Sequence, residues 1–138
     1  MIESKDKRMF GKSMTRVTII AEAGVNHNGD LPRAMRLCDA ARDAGADAVK
    51  FQTWKTERIV TASARMARYQ QENTGAAEDS QYRMLKELEL SYEDFRVLRD
   101  HCREIGIEFL STPDEEESLR FLVGLGVPLI KVGSGEVT

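Results

Sequence analysis

Ala46-Asp47-Ala48-Val49-Lys50-Phe51-Gln52 is a short, largely apolar stretch that carries a cation and an amide towards its end. Val127-Pro128-Leu129-Ile130-Lys131 repeats the form. So do Val17-Thr18-Ile19-Ile20-Ala21-Glu22 and Ile107-Glu108-Phe109-Leu110-Ser111-Thr112, which close on a carboxylate and on two hydroxyls. Runs of this length read as buried strands. A parallel α/β barrel builds its active site from side chains at the carboxyl ends of such strands. One lysine at a strand end could be chance, but four strands obeying one rule point to an enzyme.

Helical patterns separate the runs. Asp30 suits an N-cap and Pro32 the first turn, and Leu31, Ala34, Met35, Cys38 and Ala41 recur on one face before Gly45 stops the helix. A short helix is expected near 81–88. Ser91 and Asp94 predict a capping box for the next helix, with Phe95, Leu98, Cys102 and Ile105 inward and Gly106 at its end. Pro113 and the acidic run 114–117 are expected to open a last helix, where negative charge suits the dipole, with Leu119, Leu122 and Leu125 as its core face. Residues 53–79 form a long connection of mixed polarity, of the kind that is usually functional or mobile.

Strands alternating with helices imply parallel pairing through right-handed crossovers. An open doubly wound sheet and a barrel both satisfy that pattern. No glycine-rich dinucleotide fingerprint follows the first strand, which weakens the doubly wound option. The fold class expected is therefore α/β, the N-terminal half of a (β/α)8 barrel, with parallel strands near 17–21, 48–52, 107–111 and 129–132. Residues 1–14 are read as a flexible extension and 15–138 as a partial barrel domain.

The 138 residues are 41% hydrophobic, enough for one modest core. A net charge of -3 supplies no basic footprint for nucleic acid. No apolar stretch approaches the roughly 20 residues of a membrane span, and the polar start lacks the apolar core of a secretory signal. Cys38 and Cys102 fall on apolar helix faces and share no ligand spacing with His27 or His101, so buried thiols in a reducing, cytoplasmic setting are expected.

Lys50 and Lys131 at a barrel rim could form an imine or hold an anion. The backbone of Gly133-Ser134-Gly135 could cradle phosphate or carboxylate, and Ser111-Thr112 adds hydroxyls. Two cations with several hydroxyls favour an anionic substrate. A structural reading instead pairs Lys131 with a carboxylate such as Glu136. Glu22 is costly in an apolar strand unless paired or useful. It could be a general base, hold a sugar hydroxyl, or simply pair with Lys50. Gln52 lies two residues beyond Lys50 and should face the same side. Asn26 and His27 occupy the loop after the first strand, where His27 could be a surface or a catalytic residue. Trp54 reads as a pocket wall or as packing.

Ile19-Ile20-Ala21-Glu22-Ala23-Gly24-Val25-Asn26-His27-Asn28-Gly29, the segment 44–53, Ser111-Thr112-Pro113 and Ile130-Lys131-Val132-Gly133-Ser134-Gly135-Glu136 together resemble the bacterial sialic acid synthase family. Tyr69-Gln70, Asn73-Thr74-Gly75 and Met84-Leu85-Lys86-Glu87-Leu88-Glu89-Leu90 add to the likeness. The resemblance implies condensation of phosphoenolpyruvate with the open-chain aldehyde of an N-acetylmannosamine-type sugar, with release of phosphate. A divalent metal, typically manganese, polarises the aldehyde in such enzymes. Carried over by motif, Lys50, Thr112, Lys131 and Ser134 hold phosphoenolpyruvate, Glu22 is the acid/base or sugar-orienting group, and Gln52 and Asn73 contact the sugar.

The family's metal-binding histidines lie on later strands, so no metal ligand is expected within this chain. A homodimer is expected of the full-length enzyme. The family's aromatic after Ser-Thr-Pro is replaced by Asp114. The remaining strands and a C-terminal antifreeze-like domain are not in these 138 residues, and half a barrel leaves a raw sheet edge, so the isolated chain is expected to lack turnover. Two alternatives stay open: a Schiff-base lysine aldolase on a similar barrel, or an inactive fragment.

Overall fold

A computed structural model describes residues 17–59 and 77–134, with the side chains of 77–81 excepted. The expected 1–14 extension, Asn73 and its neighbours, and Glu136 as a partner for Lys131 lie outside the described residues.

The first three apolar runs form strands β1 (Ile20–Gly24), β2 (Ala48–Thr53) and β3 (Glu108–Pro113), all parallel and ordered β1-β2-β3. The order never reverses, which is how a barrel winds; a doubly wound sheet would switch direction. Each strand runs further toward its carboxyl end than its apolar run. Backbone pairing continues through Glu22↔Lys50 and Gln52↔Thr112 because the ladder needs only main-chain groups. The N-terminal end shifts correspondingly: Val17 and Ile19 lie before the pairing and are exposed.

The fourth strand expected over 129–132 reduces to a single parallel bridge, Ser111↔Ile130. Pro128 brings no N–H donor to a ladder, and no strand flanks Ile130 on its far side among the described residues. The bridge still places Lys131 beyond β3 in the same winding sense.

The helices are α1 (Leu31–Asp43), α2 (Thr56–Ile59), α3 (Ala77–Leu88), α4 (Tyr92–Ile105) and α5 (Glu116–Leu125). Asp30 caps α1 through Arg33 N. Ser91 and Asp94 make both bonds of the capping box on α4. The third helix begins four residues earlier than expected. The last starts at Glu116, not at the proline, because Asp114 N donates to Thr53 O and prolongs the sheet, leaving Glu115 as the cap. Its buried stripe is Ser118, Leu122 and Leu125, while Leu119 is 37% exposed.

Strand alternation divides the sheet's two faces. Val49, Phe51 and Phe109 face the helices, where Phe51 stacks on Phe109 at 5.9 Å and Phe95 of α4 adds its ring at 6.3 Å from Phe109. Cys38 of α1 and Cys102 of α4 are buried free thiols within this layer. The Cys38 thiol and burial together hold the Cys102 thiol well above its ordinary range. Beside them His101 Nε2 and Asp39 Oδ1 lie 2.9 Å apart and join α4 to α1. The opposite face presents Glu22, Lys50, Gln52, Leu110 and Thr112, so the layer built by the aromatics leaves the chemistry on its other side.

Candidate active site

Register brings the predicted residues together. Glu22 stands opposite Lys50 on neighbouring strands, and Gln52 opposite Thr112. Lys50 Nζ is 2.6 Å from Glu22 Oε2 and donates to Thr112 Oγ1 at 3.2 Å. The Lys50 side chain is 11% exposed and that of Glu22 56%. The pairing weighed for Glu22 from sequence is therefore present, and it sits inside the site. The β1 register slips between Glu22 and Gly24. Such irregularities re-aim side chains next to active sites. Gly24, at φ 52°, has space for a Cβ only 3.4 Å from Glu22 Oε1, so the carboxylate lies over a glycine.

Glu22, Lys50, Gln52, Ile59, Thr112, Asp114, Lys131, Gly133 and Ser134 line one cleft of about 510 Å³. Six of the seven expected site residues meet there, and Asn73 lies outside the described residues. Two lysines face two carboxylates, so the cleft holds its own counter-charges. Thr112 is buried and positioned by the sheet; Lys131 and Ser134 are exposed and carried by the segment after Ile130.

Sequence reasoning missed Asp114 and Ile59 as lining residues. A signal existed for Asp114: Leu110, Thr112 and Asp114 alternate along an extended chain. Its place in the acidic run 114–117 points instead to a helix start, and the resemblance sets it where the family carries an aromatic. Ile59 belongs to a four-residue helix with no period to detect.

Trp54 is 4% exposed, donates from Nε1 to Thr56 Oγ1 at 3.2 Å and does not line the cleft. It packs. His27 is neither a surface residue nor a cleft residue. It is fully buried with its ring 6.0 Å from that of Phe51, on the helix side of the sheet. Gly29 N–H donates to its Nδ1 at 3.0 Å, so the proton of the neutral ring sits on Nε2. Burial, and then the Arg33 charge, lower its pKa and keep the ring neutral.

The same loop needs its glycine. Gly29, at φ 69°, passes so close to α3 that a Cβ would lie 2.1 Å from the Glu87 carbonyl oxygen. Gly45, at φ 81°, has nothing within 4 Å of that position. Gly45→Ala is expected to cost about 1–2 kcal/mol from the left-handed backbone alone. Gly29→Ala should cost roughly 2 kcal/mol more, because backbone must move. Urea denaturation of the two variants checks the difference, and equal losses would contradict the close approach.

Among the described residues no group of three or more His, Cys, Asp or Glu side chains could hold a metal ion. Those residues do not fit a resident manganese ion. No helix among them is long and apolar enough to cross a membrane.

The model of the NeuB family matches residues 37–138. The chain belongs to the NeuB family. It is 54% identical to the N,N'-diacetyllegionaminic acid synthase of Legionella pneumophila over 128 residues, covering 93% of this chain and 35% of the relative. To the synthase of the same name from Campylobacter jejuni it is 45% identical, covering 91% and 37%. The chain thus spans about a third of the length of these relatives. Among solved structures, the N-acetylneuraminic acid synthetase of Leptospira borgpetersenii in complex with citrate superposes with a TM-score of 0.65 at 31% identity, over 84% of this chain and 36% of that one. A Chromobacterium violaceum protein described as a spore coat polysaccharide biosynthesis protein E reaches 0.70 at 22% identity, over 89% and 35%, which supports the fold alone. As a NeuB-family segment the chain has the expected partial (β/α)8 architecture, with its cleft on the carboxyl side of the strands.

Proposed function

We propose that this chain supplies the phosphoenolpyruvate-binding side of a nonulosonic acid synthase, which joins phosphoenolpyruvate to an N-acetylmannosamine-type sugar. The observation that carries the reading is the convergence of Lys50, Thr112, Lys131 and Ser134 with Glu22 and Gln52 on one cleft. Lys50 and Lys131 neutralise the carboxylate and phosphate, and the hydroxyls of Thr112 and Ser134 donate to their oxygens. Gln52 orients the sugar. Glu22, released from Lys50 when the anion arrives, is the group that can take or hold a hydroxyl proton.

In the reaction the alkene carbon of phosphoenolpyruvate attacks the aldehyde carbon, and the aldehyde oxygen takes a proton. Water adds to the resulting cationic carbon, and phosphate leaves with its bridging oxygen to give the keto acid. Manganese would polarise the aldehyde from ligands outside the described residues. Homodimeric assembly belongs to the same proposal and rests on the resemblance; a cytoplasmic location belongs to it too and rests on the two buried free thiols.

The test is phosphate release by the full-length protein from phosphoenolpyruvate, manganese and a series of 2-acetamido sugars. With bridging oxygen-18 in the phosphoenolpyruvate, the label should appear in phosphate. Label retained in the sugar acid would overturn the C–O cleavage. Borohydride trapping with pyruvate addresses the aldolase alternative: an adduct on Lys50 or Lys131 would replace the anion role by an imine. The 138-residue chain alone is expected to be inactive, and turnover by it would show that the described strands suffice.

A further inference from the structure

The stretch Met84 to Leu90 resembles the synthase family but contributes no residue to the cleft. Glu89 lies in the two-residue link between α3 and the Ser91 cap of α4, next to buried Leu90. Its side chain is 8% exposed, a costly position for a carboxylate unless fully bonded. Every bond is present. Oε2 accepts from Thr56 N at 2.9 Å and from Thr56 Oγ1 at 2.7 Å. Oε1 accepts from Lys55 Nζ at 3.2 Å, and Lys86 Nζ lies 3.1–3.2 Å from both oxygens. Burial alone would raise the pKa of Glu89, but the bonds from Thr56, Lys86 and Lys55 outweigh it and hold the carboxyl below its ordinary value.

Thr56 and Lys55 belong to the turn that leaves β2 and opens α2, whereas Lys86 belongs to α3. The turn is held on its other sides as well. Lys55 Nζ lies 4.2 Å over the Tyr92 ring, and Tyr92 is bonded through its hydroxyl to Ser118 of α5. Lys86 is 2.8 Å from Glu57, which also accepts from the Tyr82 hydroxyl, and Arg58 meets Glu117. Lys86 and the local hydrogen bonds hold the exposed Glu57 carboxyl at about 2. A four-residue helix has almost no stability of its own. Its place is therefore set by these ties, of which Glu89 is the buried one. The last residue of α2, Ile59, lines the cleft, and Gln52 lies four residues before Thr56.

We propose that Glu89 is a positioning residue for the acceptor side of the cleft. It fastens the Lys55–Thr56 turn, and through α2 it places Ile59 beside Gln52. The anion side, built on Lys50, Thr112 and Lys131, depends on the sheet and on the segment after Ile130, so it is independent of this clasp. The inference rests on the reading of the cleft as the site of the phosphoenolpyruvate–sugar condensation.

The experiment compares wild type, Glu89→Ala and Glu89→Gln of the full-length protein by steady-state kinetics and by hydrogen–deuterium exchange. Glu89→Ala should raise the KM for the amino sugar about tenfold and change the KM for phosphoenolpyruvate less than about twofold. Glu89→Gln keeps an acceptor for Thr56 but loses the lysine pairs, and should fall between. Where the alanine variant does not fold, the glutamine variant carries the comparison. The amides of Arg58 and Ile59 bond to Lys55 O, not to Glu89, so their exchange reports on α2 itself. It should accelerate about tenfold or more in Glu89→Ala. Unchanged exchange at those amides, or equal shifts in both KM values, would overturn the proposal. If wild type releases no phosphate with any sugar, the functional reading fails, while the exchange still decides the clasp.

Discussion

A Lys50→Met variant of the full-length protein is expected to lose roughly two to three orders of magnitude in kcat/KM for phosphoenolpyruvate, the scale of removing one preorganised charged donor. Lys50 is the most enclosed cation of the cleft, 11% exposed and fixed by Glu22 and Thr112. Its charge is therefore least replaceable by water. The fold should survive, because the partner left behind is 56% exposed and can be solvated, so no buried charge is stranded. The measurement is phosphate release against phosphoenolpyruvate concentration, with thermal unfolding as the control. A loss of only severalfold would assign the anion to Lys131 and reduce Lys50 to an ion pair with Glu22.

Glu22→Gln should move two quantities in opposite directions. The carboxylate 2.6 Å from Lys50 occupies the position an incoming anion needs, so neutralising it removes a competitor. Affinity for phosphoenolpyruvate is expected to rise about three- to tenfold, as for removal of a nearby like charge in a partly solvated site. Turnover is expected to fall about a hundredfold or more, the usual scale for loss of a general acid or base. Calorimetric titration with phosphoenolpyruvate gives the first quantity and phosphate release the second. If Glu22 only steadied Lys50, its replacement would weaken binding instead. The sign of the binding change therefore separates a displaced counter-ion from a scaffold.

These two residues show how far the chain could be read in advance. Apolar runs of period-two chemistry with polar ends, separated by capped amphipathic helices, were enough to place Glu22, Lys50, Gln52 and Thr112 at strand ends. The caps at Asp30 and Ser91 are local chemistry and were legible for that reason. Strand ends were less legible, since a ladder of main-chain hydrogen bonds runs past the last apolar side chain to Gly24, Thr53 and Pro113. The fourth run, with Pro128 and a single bridge at Ile130, shows the converse: an apolar stretch becomes a strand only where neighbours pair with it.

What the sequence by itself determined is the alternation of strand and helix, the family, and the identity of the polar groups that the strands deliver. Only the tertiary structure decided that β1, β2 and β3 wind in unbroken order, that Glu22 closes on Lys50, that His27 turns away beneath its loop, and that Glu89 clasps a turn more than thirty residues before it in the chain. The reason is physical. Periodicity and capping act between residues a few positions apart, whereas register, burial and charge pairing arise between segments that the chain does not bring together until the sheet and its helices have packed.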